Sequence, residues 1–299
     1  MKLIVCGDFV SQGPMSIQVD EKLQSLLKTA DFVSVNFEAP VRGVGKPIYK
    51  SGPSLTQSRD SPSFIENLGA NIIMMANNHM MDQDKEGCEE TIKLFSSKVH
   101  IMGAGSLNNA YRLHVVEKDG LKVGLLCITH KEFGVLGMDA ITTDYGTAWI
   151  NHPLVNKLIL NSKKECNVLV VLPHAGVEDV LVPLPEWRSR YQEFIDLGAD
   201  AVVASHPHTP QGWEEYNGKM IYYSLGNFFF QLFSSRHGKN WYKGLLVEMN
   251  IDANKKIFLR FIIQSLLKLL SVLTKVQNVK NIMTTSVSYS RIRISIGSV

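Results

Sequence analysis

The 299-residue sequence has no uninterrupted apolar run near the roughly 20 residues that a membrane-spanning helix requires. Cysteine is scarce: Cys6, Cys88, Cys127 and Cys166 are scattered, which excludes a thiolate metal site of paired spacing and a disulfide framework. With 45% hydrophobic and 20% charged residues, the chain is neither disordered nor collagen-like. Residues 1–6 lead straight into Gly7-Asp8, without the charged and apolar regions of a secretory leader. The expectation is therefore a reduced, cytoplasmic protein. Acidic residues are missing altogether from 253–299, where eight Lys or Arg occur, so the rest of the chain carries a net charge of −5. This break divides the chain into a body, 1–252, and a basic tail, 253–299. The basic balance of the whole chain is thus no argument for a nucleic-acid-binding surface on the body, and no nucleic-acid partner is expected.

The body alternates short apolar runs with helical patterns. Residues 2–6 (KLIVC), 32–35 (FVSV), 72–76 (IIMMA), 168–172 (VLVVL), 201–204 (AVVA) and 244–251 (GLLVEMNI) read as strands. Ser61-Pro62 opens a helix with Ser as the cap. Residues 84–97 place Cys88, Ile92 and Phe95 on one helical stripe, and 187–197 form another helix. Asp119-Gly120 and Asn217-Gly218 mark two hairpins, 112–117 with 122–129 and 214–216 with 220–225. Apolar runs of this kind suggest strands covered by helices on both faces, an α/β layered fold.

What lies beyond these runs carries the chemistry. The first ends at Asp8, the second at Asn36 and Glu38, the third at Asn77-Asn78-His79, the fourth at His174, and the fifth at His206 and His208. In α/β sheets, ligands bind at the carboxyl edge of the strands. Two carboxylates, an amide oxygen and three imidazoles suit a divalent metal such as Mn, Fe, Zn or Mg. Six donors exceed one tetrahedral site, so one or two ions are in view, a pair lying ~3.5–4 Å apart with Glu38 as the bridge. His79 would then serve as the general acid toward a leaving group. Each residue also has an ordinary reading, Asp8 as a turn cap and Asn77-Asn78 as a turn. Five coincidences at five strand ends favour the shared site. His100, His114, His130, His152 and His237 show no such placement and read as structural or surface residues.

Gly7-Asp8, 35–40 (VNFEAP), 76–79 (ANNH) with Asp82 and Gly87, 174–178 (HAGVE) and the run 198–228 (GADAVVASHPHTPQGWEEYNGKMIYYSLGNF) resemble, in this order, the CapA family of bacterial capsule and poly-γ-glutamate synthesis proteins. That family is similar to the calcineurin-like metallophosphoesterases, and the resemblance covers about residues 2–251. It implies a layered metallophosphoesterase-like sandwich, with central mixed sheets flanked by helices. It also implies that Asp8, Glu38, Asn78, His174, His206 and His208 are metal ligands and that His79 is a catalytic proton donor. Asn77, Glu178, Tyr223 and Asn227 are the implied substrate-binding residues, Asn227 alternatively positioning a loop. Two positions depart from the pattern. Val10 stands where the superfamily carries the histidine of Asp-x-His, which would weaken one metal position. Ala175 replaces a bulky aromatic, which would open the pocket.

The first functional expectation is a metal-dependent hydrolase of capsule or related envelope polymer metabolism, acting on a polyanionic polymer or a phosphoester-type substrate. The second is a non-catalytic assembly or export factor working with capsule synthesis or export proteins. A metal-free Glu38/Glu178 acid–base pair would leave the histidines unexplained. In the tail, 257–274 (IFLRFIIQSLLKLLSVLT) reads as a strand and helix packed on the body, as part of a divergent tail with little function, or as a basic amphipathic helix on an anionic membrane. Flotation with anionic vesicles separates the last from the others: the first two readings expect no salt-sensitive binding, and binding that salt abolishes would establish the membrane contact.

Overall fold

The computed structural model describes residues 1–12, 17, 19–137, 144–231 and 237–265. Its first half runs β1 (Lys2–Val10), α1 (Glu21–Lys28), β2 (Phe32–Phe37), α2 (Ser61–Asn67), β3 (Ile72–Met74), α3 (Asp84–Leu94) and β4 (His100–Met102). Next come β5 (Ala104–Ser106), α4 (Leu107–Ala110), β6 (His114–Lys118), β7 (Leu121–Thr129), β8 (Val135–Leu136), β9 (Tyr145–Ala148) and α5 (Pro153–Asn161). The remainder is β10 (Val168–His174), α6 (Pro185–Asp196), β11 (Ala201–Val203), β12 (Trp213–Tyr216), β13 (Lys219–Tyr222), β14 (Asn227–Phe230), β15 (Lys243–Ile251) and β16 (Ile257–Ser265).

Among the described residues two large mixed sheets form. One has the order β16-β15-β1-β2-β3-β4, with β14 also pairing β1, and the other β12-β13-β11-β10-β7-β6. Side-chain alternation explains how they stack, because successive residues of a strand point to opposite faces. On β1, Ile4 and Cys6 meet Leu27 of α1, Phe64 and Ile65 of α2 and Cys88 of α3. Leu3 and Val5 face the other way, onto Val123 and Leu125 of β7 and Val168, Val170 and Leu172 of β10. On β10, Leu169 and Val171 turn outward onto Val155 and Ile159 of α5 and Tyr191, Phe194 and Ile195 of α6. The result is helix, sheet, sheet, helix. Each sheet is therefore covered by helices on one face only, and its second apolar face is covered by the other sheet. An apolar run reports burial on both faces but not the identity of the cover.

Both hairpins have the turn geometry that their residues favour. Asp119 and Gly120 have φ of 53° and 75°, and Asn217 and Gly218 have 49° and 71°, the paired positive values of a type I′ turn. Ser61 is the first helical residue of α2 and Asp60 stands at the cap, with no side-chain capping bond. The sheet continues across residue 252: β16 pairs antiparallel with β15 from Ile251↔Ile257 to Lys243↔Ser265. Residues 257–265 are thus an edge strand, and 266–274 lie outside the described residues. Among the described residues no helix is long and apolar enough to cross a membrane.

Strand β1 runs on past Cys6 to Val10, so Asp8 sits inside the strand, at a register shift where it pairs with both Asn36 of β2 and Asn227 of β14. Gly7 makes this double pairing possible. Asp8 N donates to Gly226 O at 3.1 Å, and a Cβ on Gly7 would lie 1.9 Å from that same oxygen. Gly7→Ala must push β14 away from β1, and a loss of about 1–3 kcal/mol is expected in urea unfolding. An unchanged midpoint would show that this approach is not constrained.

Candidate metal centre

The adjacent strand ends converge. Parallel pairing sets Thr129 of β7 level with His174 of β10, and an isolated bridge sets His174 level with Ser205 just beyond β11. The His206-Pro207-His208 segment then turns back over the sheet edge. His206 and His208 carry φ of 102° and 56°, backbone values that non-glycine residues adopt only when the surroundings impose them. Gly176 allows the close packing, since a Cβ there would meet Pro207 Cγ at 2.8 Å.

Asp8, Glu38, Asn78, His174, His206 and His208 all come together, each at most 3% exposed. His174 Nε2 lies 3.0 Å from Asn78 Oδ1, 3.5 Å from Glu38 Oε1 and 3.1 Å from His206 Nδ1. His208 Nε2 lies 3.5 Å from Glu38 Oε1, and its Nδ1 is 3.4 Å from Asp8 Oδ2. Two donor groups result, Glu38–His174–His206 and Asp8–Glu38–His208, the atoms of each within 4.8 Å of one another. Glu38 belongs to both. Its Oε1 is buried and accepts no hydrogen bond, although an unsatisfied buried acceptor is rare and unfavourable. A divalent ion would satisfy that oxygen, so the donor set fits one.

The electrostatics agree. Burial pushes Asp8 up to about 6, partly offset by hydrogen bonds from Asn36 and the His206 amide. Burial, and then the charge of Asp8, hold Glu38 well above the usual carboxylate range. Burial holds His174 and His206 well below the usual imidazole range, and lowers His208 to about 3. Neutral imidazoles are the form that ligates metal, and clustered carboxylates favour a cation between them.

The remaining candidates separate into distinct roles. His79 Nδ1 lies 2.7 Å from Asp82 Oδ2, and the buried Lys50 ammonium ion-pairs with the same carboxylate, which also accepts from Leu55 N at 2.6 Å. Asn77 is saturated: it donates to Asn36 Oδ1 and Phe37 O, and accepts from His79 N and Met80 N. All four valences of its amide hold the loop, so it positions His79 and has none left for substrate. Asn227 likewise pins His208, its Oδ1 lying 2.9 Å from Nδ1 while its Nδ2 donates to His208 O and Trp241 O. Tyr223 points away, its ring 5.8 Å from that of Tyr191 and its hydroxyl donating to Glu214 at 2.7 Å. Glu178 is exposed at the rim, near enough for its charge to raise Glu38. Val10 packs with Ala39, Leu55, Phe230 and Trp241, so apolar carbon fills the place of a seventh donor.

Sequence reasoning missed three contributors. Asn36, noted only as a strand end, donates to Asp8 Oδ1 at 2.7 Å and Glu38 Oε2 at 3.3 Å. Lys50 lies in a loop with no pattern to mark it. His130 read as structural or surface, yet its ring centroid is 4.3 Å from that of His206. The available signal was its position directly after Thr129, the end of a central strand.

Residues 2–232 match the family model described as the bacterial capsule synthesis protein PGA_cap. The chain belongs to this family. It is 30% identical over 213 residues to the capsule biosynthesis protein CapA of Bacillus anthracis, covering 68% of this chain and 51% of that protein. Against the PGA biosynthesis protein CapA of Bacillus subtilis it is 30% identical over 214 residues, covering 70% and 55%. The chain thus spans about half the length of these curated relatives. Among solved structures it is similar to a Staphylococcus aureus protein assigned as a 5′-nucleotidase, with TM-score 0.55 and 11% identity, covering 89% of this chain and 54% of that one. It is also similar to the Thermus thermophilus sulfate thiohydrolase SoxB, with TM-score 0.50 and 13% identity, covering 82% and 42%. At such identities these structures show a shared calcineurin-like phosphoesterase fold and nothing of activity.

The raised Asp8 carboxyl has a measurable consequence in metal-free protein. Its folded value near 6 exceeds the ordinary carboxylate value, so its contribution to stability is present below about pH 4 and lost as pH rises through 6. Asp8→Asn removes this loss. In urea unfolding with chelator, the stability of the variant relative to wild type is expected to rise by about 3 kcal/mol between pH 4 and 7. A difference that does not change with pH contradicts the shift.

Proposed function

We propose that this capsule-family protein is a metal-dependent hydrolase acting on a polyanionic envelope polymer of the poly-γ-glutamate type or on a phosphoester-type substrate. The observation that carries the reading is Glu38: one buried carboxylate shared by two donor groups, with an oxygen that no protein donor satisfies. Glu38, Asn78, His174 and His206 would hold one divalent ion, and Asp8, Glu38 and His208 would hold the second. Such ions supply a nucleophilic hydroxide from water and positive charge beside the oxygen where negative charge develops.

The chain's own groups supply the rest. Asp82 takes the Nδ1 side of His79, which leaves Nε2 to carry the proton that a leaving alkoxide or amine requires. Asn77 holds the His79 backbone, and the Lys50 ion pair and the Leu55 amide hold the Asp82 carboxylate in place beside it. Asn36 and the His206 amide orient the Asp8 carboxylate, and Asn227 fixes the ring of His208. Burial of the cluster excludes bulk water and strengthens each of these contacts.

A second reading, a non-catalytic assembly or export factor working with capsule proteins, draws support from Val10. With Val10 packed among apolar side chains, the Asp8–Glu38–His208 group keeps three protein donors, a weaker set than its neighbour.

Elemental analysis of wild type and His174→Ala, followed by assays on phosphodiester and γ-glutamyl substrates, tests the proposal. The hydrolase expects bound Mn, Fe or Zn that falls in His174→Ala, and turnover that drops about 10²–10⁴-fold in His79→Ala. Bound metal with no turnover on either substrate class supports the assembly reading. Wild-type protein that takes up no metal overturns the centre itself.

A further inference from the structure

The loop after β7 brings a third donor group to the edge of this cluster. The His130 amide donates to His174 O at 3.0 Å, and so does the Thr129 hydroxyl, fixing the loop beside the end of β10. The His130 side chain is 12% exposed, and its Nε2 is buried without a hydrogen bond, although Glu132 Oε2 lies 3.3 Å away. Glu132 also reaches the side chain of Asn78. One nitrogen each from His130 and His206 and one oxygen of Glu132 all lie within 4.8 Å of one another. Donors bound at ~2.1 Å around one ion are separated by at most about 4 Å, so less than an ångström of closure is needed. Glu132, on an exposed loop, has the freedom to make it.

We propose that His130, Glu132 and His206 form an outer divalent-cation position, distinct from the two donor groups built on Glu38 and coupled to them through His206. Two imidazoles and a carboxylate without thiolate suit a borderline ion such as Zn²⁺. The proposal rests on the reading of the buried cluster as a metal centre, and it adds an ion at the mouth, where an anionic substrate arrives. A neutral imidazole offers one lone pair, so His206 holds an ion on each ring nitrogen only as the imidazolate, its N–H proton passing to solvent. His206 therefore links the occupancy of the outer position to that of the Glu38–His174–His206 group.

Zinc titration of the full chain by calorimetry, with zinc counted after gel filtration, tests this on wild type, His130→Ala, Glu132→Gln and His174→Ala. Glu132 lies in an exposed loop, so Glu132→Gln separates ligation from folding. The expected result is that His130→Ala loses one zinc equivalent, that Glu132→Gln binds that equivalent at least tenfold more weakly, and that both keep the tighter zinc. His174→Ala is expected to retain the equivalent that His130→Ala loses. Stoichiometry and affinity identical to wild type in both His130→Ala and Glu132→Gln overturn the outer position alone. No zinc uptake by wild type overturns the outer position together with the inner centre.

Discussion

Glu38 and Asp8 are two carboxylates buried within reach of three imidazoles, in a cleft where water cannot solvate them. Such a grouping is unfavourable in isolation: burial raises both acids, the charge of Asp8 raises Glu38 further, and burial lowers the histidines. Much of the local architecture serves to hold it. Asn36 donates to both acids, the His206 amide donates to Asp8, and Asn227 clamps His208. The glycines at 7 and 176 let backbone approach where any side chain would collide. The layered packing of the two sheets then buries the whole set, because the strands that carry the donors also form the core between the sheets.

This economy explains why the polar contacts around the cluster lie in two tiers. Residues with an unsatisfied or metal-suited atom, chiefly Glu38 and the three histidines, occupy the inside. Residues whose valences are consumed by protein, such as Asn77 and Asn227, hold the loops that present them. Saturation is the physical distinction between a ligand and a positioner, and a motif does not display it. Asn77 and Asn78 are neighbours in sequence, yet the first is spent on backbone and the second faces His174 Nε2 at 3.0 Å.

The same limit accounts for the other revisions. Tyr223 belongs to a motif-rich segment, but strand alternation turns its ring into the outer helix layer beside Tyr191. His130 looked like a residue in a connecting loop, because nothing local records that β7 pairs with β10 in a register that sets it beside His174. The apolar runs were legible as buried strands. Which face meets a helix and which meets the second sheet was not, since both covers demand the same hydrophobic side chains.

The sequence by itself determined the long apolar strands, both hairpins and the six donors beyond the strand ends, because apolar runs, Asp-Gly and Asn-Gly turns and metal-suited side chains are local properties. The short strands β4, β5, β8, β9 and β14 carry no such run and were not legible. Family membership was equally legible in the ordered motifs and is borne out by the match over residues 2–232. Only the tertiary structure decided that Glu38 Oε1 is left without a hydrogen bond between the two donor groups, that the amide of Asn77 is spent on its own loop, and that His130 joins the cluster. Those outcomes depend on the pairing of strands distant in sequence, and the distance between two side chains on different strands is set by register and sheet stacking rather than by either residue alone.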